Sequence, residues 1–154
     1  MKISNAIPRP PPTATRVQRQ TRQEINDRIR HGTAVELAEL AGDPPGLERR
    51  LRSLDTEWDI ERVLQTNFGL VGLVSVTLGA LVSQRWFLLA GIAAVFMGQH
   101  AIQGWCPPVP AFRRAGFRTA REINQERFAL KAIRGDFRGS RDNPPHALEA
   151  TRAG

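Results

Sequence analysis

Four polar residues stand near the end of an otherwise apolar run: Gln99, His100, Gln103 and Cys106. Gln99, Gln103 and Cys106 follow an i, i+4, i+7 spacing, so on a helix they share a face, with His100 beside them. Polar groups in an apolar environment are costly unless paired, so they face a partner helix or a water-filled path. Two roles fit that pattern: hydrogen bonding between helices, or lining a ligand site or conduit. A lone thiol is either a small apolar filler or a site of sulfur or redox chemistry. No Arg-rich or His-Asp loop surrounds Cys106 in sequence, and Cys106 is not expected to be catalytic.

Other chemistry is excluded more simply. With Cys106 as the one cysteine, an internal disulfide framework and Cys-rich zinc sites are ruled out. His31, His100 and His146 are too scattered to suggest a metal site. No glycine-rich phosphate loop, nucleophile elbow or H-E-x-x-H motif is present. Catalytic, cofactor-binding and metal-binding residues are therefore not expected, and the chain does not read as a self-contained enzyme.

The elements that carry these residues are set by charge. Of 154 residues, 22 are basic and 15 acidic, yet from Val63 to Phe112 the one charged residue is Arg85. A compact soluble domain spreads its charges over its surface; here they crowd into two flanks. Residues 63–84 carry no charge and, as a helix, span roughly 33 Å, enough for a hydrocarbon core of about 30 Å. Residues 86–105 form a second such run, ended by Pro107, Pro108 and Pro110. Trp86 and Trp105 lie about 28 Å apart on a helix, the separation of two interfacial belts. The reading is a transmembrane hairpin over 63–112. Arginines flank both outer ends (Arg49, Arg50, Arg52 and Arg62; Arg113, Arg114, Arg118 and Arg121), whereas the tip holds Arg85 alone. The positive-inside bias then places both termini in the cytoplasm.

The flanks read as helical. Residues 1–14 are proline-rich and are expected to be a disordered tail, with no secretory leader. Residues 15–62 form a cytoplasmic helical extension. Its first helix is solvated and breaks at His31-Gly32; Thr33-x-x-Glu36 has the form of a capping box that starts the next. Asp43-Pro44-Pro45 opens a third helix, with Leu47, Leu51, Leu54 and Trp58 on one stripe. That stripe packs on its own neighbours or a dimer mate, or else lies along a membrane surface. Residues 113–138 hold a basic juxtamembrane segment and a helix opened by Thr119-x-x-Glu122. Residues 139–154 are expected to be a disordered tail. The predicted class is an all-α membrane protein, multi-pass, in a bacterial inner membrane.

Two contact surfaces follow. Ser75-x-x-x-Gly79 and Ala90-x-x-x-Ala94-x-x-x-Gly98 are small-residue patterns that let helices approach, within the hairpin or between copies. Trp58, Trp86, Trp105, Arg113 and Arg114 are expected at the lipid interface.

Asn67 at the start of a Gly-rich span, the Arg85-Trp86 turn and Gly104-Trp105-Cys106-Pro107 after the second span together resemble a bacterial family. It is the two-helix inner-membrane family named for the transmembrane domain of YgaP, a membrane-bound rhodanese-type sulfurtransferase. The resemblance covers about residues 59–137 and implies a dimeric helical bundle. Cys106 and Pro107 map onto the family hallmark, with weaker matches at Gly69, Gly79 and Gly91. The chain has an Arg- and Pro-rich extension where that architecture has a rhodanese domain, so sulfur transfer is not carried over. Three functions remain. The chain is a non-enzymatic membrane anchor or assembly subunit, a membrane partner of sulfur metabolism acting near Cys106, or an anionic-lipid binder. Membrane lipids, a second copy or a membrane complex are the expected partners. Nucleic acid is not, since no motif for it accompanies the arginines.

Overall fold

The structure, a computed structural model, describes residues 12–140 and 143–152; the remaining residues of both expected tails lie outside it. Every regular element among the described residues is a helix. In chain order they are α1 (Arg16–Gln20), α2 (Gln23–Leu40), α3 (Pro44–Thr56), α4 (Ile60–Leu81), α5 (Trp86–Gln103), α6 (Val109–Arg114), α7 (Ala120–Arg134) and α8 (Pro144–Arg152).

The helices α4 and α5 are long and apolar enough to cross a membrane. Asp59 starts α4, its side chain accepting from the Arg62 N–H at 2.7 Å, which satisfies one orphan donor of the first turn. Gly104 ends α5 in the left-handed conformation at φ 77°. The two helices run antiparallel: Glu61 of α4 meets His100 of α5 at one end, and Gly79 meets Phe87 at the other. Their outer faces are bare. Leu73 is 66% exposed, Leu81 79% and Leu88 70%, and no other described element covers them. A core helix of a soluble protein would be mostly buried; these are not.

The remaining helices gather at the Glu61–His100 end and form a polar head with two apolar clusters. Val17, Ile60, Leu64, Cys106 and Val109 make the cluster at the foot of the pair, with Phe68, Phe96, Phe112 and Phe117 around it. Leu47, Leu51, Leu54, Ile123 and Leu130 make the second, joined by Leu37 and Leu40. The stripe on α3 thus packs on its own chain, against α2 and α7. Trp58 lies past the end of α3, 44% exposed, with the Arg62 guanidinium 4.5 Å from its ring centroid. Residues 15–62 and 113–138 therefore fold against each other and form one unit. The Ile60 N–H, bonded to the Arg118 carbonyl at 2.8 Å, joins that unit to α4.

Local expectations fail at two places. α2 runs unbroken through His31-Gly32, and Thr33 is no cap: its Oγ1 donates to the Ile29 carbonyl, while Glu36 pairs with Arg50 at 2.9 Å. A glycine inside a helix costs only about 1 kcal/mol, which docking against α7 outweighs. The tail is ordered over α8, because the buried Lys131 Nζ donates to the Ala150 and Thr151 carbonyls at 3.1 and 3.0 Å. An ammonium at a helix C-terminus satisfies orphan carbonyls and complements the macrodipole.

Candidate functional site

The foot of the helical pair holds the charged groups nearest the apolar region. His100, 1% exposed, donates from Nε2 to Glu61 Oε2 at 2.8 Å, and Arg16 Nη2 donates to Glu61 Oε1 at 3.0 Å. Three elements therefore meet on one carboxylate: α1, the first turn of α4 and the last turn of α5. The Cys106 thiol lies beside the imidazole without bonding to Nδ1, which has no partner among the described residues. Cys106 itself is fully buried within the apolar cluster at the foot of the pair. A thiol sealed in this way has no path to a soluble substrate.

The polar face expected around Cys106 is only partly assembled. His100 and Cys106 come together, but Gln103 is exposed and Gln99 half-buried on the outer side of α5. The partner that sequence reasoning missed is Glu61. An acidic residue in a first helical turn is ordinarily explained by the helix dipole alone. Nothing local ties Glu61 to an imidazole 39 residues away.

Gly104 holds this arrangement closed. A Cβ there would sit 2.5 Å from the Arg16 backbone carbon, on a residue already at positive φ. Only glycine lets α1 lie across the end of α5.

The head contains two ion-pair networks. Arg113 donates to both Glu122 oxygens at 2.7 and 2.8 Å, to Asn26 Oδ1 at 2.9 Å and to the Phe117 carbonyl at 3.0 Å. Its expected place at the lipid interface is corrected: Arg113 is buried, because a bidentate carboxylate draws it inward. Arg114 is exposed. In the second network Arg118 holds Glu57 in two bonds, of 2.7 and 2.6 Å, and also pairs with Glu126. Arg50 reaches the same Glu126 at 2.6 and 3.1 Å. Burial alone would raise the Glu122 and Glu126 pKa values. Bonds from Arg113 and the Thr119 N–H, and from Arg50 and Arg118, outweigh it and hold both below the usual glutamate range. Many of the arginines thus serve internal pairing.

The small residues divide. Ser75 and Gly79 are buried at the seam, where a Cβ on Gly79 would stand 2.9 Å from the Phe87 ring. Gly98 is exposed, and a Cβ there would meet nothing within 4 Å, while Ala94 lines an open groove with Gly69 and Gly72 of α4. The buried positions of α5 are Ala93 and His100, beside the Ala90-Ala94 row. Trp86 is exposed near the turn and Trp105 half-buried at the foot.

No known protein family, curated protein or solved structure matches this chain. Any reading of its function therefore rests on its own geometry.

Proposed function

We propose that this chain is a non-enzymatic integral protein of a bacterial inner membrane that anchors or assembles a partner through its helical head. The observation that carries the reading is the contrast between the two parts. The α4–α5 pair leaves large aliphatic side chains bare over its length, whereas the head buries Leu47, Leu51, Leu54, Ile123 and Leu130 and holds its ion-pair networks. A bare apolar surface of that extent needs a solvent of lipid tails or another protein. In this reading α4 and α5 form a transmembrane hairpin. The arginine-rich head and both termini lie in the cytoplasm, and Arg85 lies alone on the far side. The two-helix architecture also agrees with the YgaP-like resemblance, with a helical head in place of rhodanese chemistry. A second copy or a larger membrane complex is the partner.

Reporter fusions at Met1 and Gly154 test the topology, and both are expected to report the cytoplasm. Alkaline carbonate is expected to leave the protein in the membrane pellet. Release into the soluble fraction would remove the proposal. Proteins that co-purify from detergent-solubilised membranes then identify what the head holds.

A further inference from the structure

The N-terminal extension meets the foot of the helical pair at a second place. Gln20, Thr21 and Arg22, in the link between α1 and α2, face Pro110 and Arg114 of α6 and, with Ile25, enclose a cleft of about 230 Å3. Arg22 and Arg114 come from opposite flanks of the apolar region, and both are exposed. Neither has a carboxylate partner among the described residues; other arginines, such as Arg19 and Arg28, also lack one, but Arg22 and Arg114 are the two that line this cleft. The contrast within α6 is direct: Arg113 turns inward to Glu122, leaving its neighbour as the free guanidinium. Two like charges lining one cleft repel until an anion enters. A guanidinium fork matches the oxygens of a phosphate in two parallel bonds. The cleft is smaller than the roughly 300–1,000 Å3 of pockets that enclose a whole drug-sized ligand. It suits a phosphate and the first atoms attached to it.

We propose that Arg22 and Arg114 bind a phosphate group, supplied by an anionic lipid headgroup or by free phosphate. The chemistry of the cleft stands by itself. The headgroup source rests on the membrane reading above, because α6 begins six residues after α5 ends and so lies at the level of the cytoplasmic leaflet.

The test uses the full chain in neutral detergent, with Arg22→Gln and Arg114→Gln singly and together. Arg152→Gln, an equal charge loss on α8, is the control. Native mass spectrometry reads the phosphatidylglycerol retained from phosphatidylcholine vesicles made with and without it. Retention is expected to fall about fivefold for each variant and about twenty-fivefold for the pair, with Arg152→Gln unchanged. In a second arm, inorganic phosphate is titrated while thermal unfolding is followed. A rise in Tm that the double variant abolishes assigns the cleft to free phosphate. Loss of lipid retention without such a rise assigns it to the headgroup. The proposal is overturned if the double variant changes neither reading, or no more than Arg152→Gln does. Carbonate extraction separates the two ideas, since a protein released by carbonate sinks the membrane reading while the phosphate titration still reports on the cleft.

Discussion

Arg118 is the residue on which the head depends most. Its guanidinium pairs with Glu57 and the fully buried Glu126, so Arg118→Ala leaves Arg50 as the one guanidinium for both carboxylates. Breaking a buried pair by removing one partner costs about 3–5 kcal/mol, and chemical denaturation in detergent should show a loss of that order. Glu122 and Glu126 also fix the response to acid. Their folded pKa values lie below the usual glutamate value of about 4.3, so the stability they contribute is complete above that pH and is lost as the pH falls through the lowered values. Unfolding followed by circular dichroism should show little change from pH 7 to pH 5 and a progressive fall in Tm below pH 4. Cys106 should behave in the opposite way to a functional thiol. Cys106→Ala removes one small buried group, at a cost of about 1 kcal/mol. Alkylation of the folded protein should be slow at neutral pH and become fast on unfolding. Rapid modification of the native protein, or a persulfide found there by mass spectrometry, would revive the sulfur-handling role.

The turn and seam glycines act at the level of helices. Gly79→Ile drives a branched side chain into the Phe87 ring and should lower the Tm of the purified protein, whereas Gly98→Ile meets nothing in its own chain and should leave it unchanged. A loss confined to Gly98→Ile would mean that α5 packs with the opposite phase. What the sequence revealed of these elements follows from the range of the forces involved. The two long apolar helices and the Thr119–Glu122 box are written in contiguous residues, and they stand in the structure. The continuity of α2 was hidden because Thr33 and Glu36 read locally as a cap, while the partner that redirects Glu36, Arg50, lies on another helix. The helix at Pro144–Arg152 was hidden because its anchor is Lys131, nineteen residues upstream. Glu61 escaped notice for the same reason, since its imidazole partner belongs to the next span. Alanine and glycine occur on more than one side of α5, so composition alone does not say which row faces α4 and which is left for another copy.

For the whole molecule, the head is one folding unit built from both ends of the chain. Cutting the chain in the turn between α4 and α5 divides that unit as well as the helical pair. Fragments 1–84 and 85–154 expressed together should associate and resist protease, because α3 packs on α7 and α4 on α5. Either fragment alone should be degraded, since it exposes the Leu47–Leu51–Leu54 stripe or the Ile123–Leu130 face. Independent survival of one fragment would show that the two flanks are separate domains. The bond between Arg50 and Glu126 spans 76 residues of sequence, and that distance is also an interval of time. At about 5–20 residues per second a ribosome needs several seconds to deliver Glu126 after Arg50. Throughout that interval α3 waits without its partner while both apolar helices leave the ribosome. In the proposed membrane reading, the head can close only if both flanks end on the same side of the bilayer. A chain that inserted only one of the two helices would keep its arginines unmatched and its leucines bare. In that reading, a closed head therefore reports that both helices have inserted.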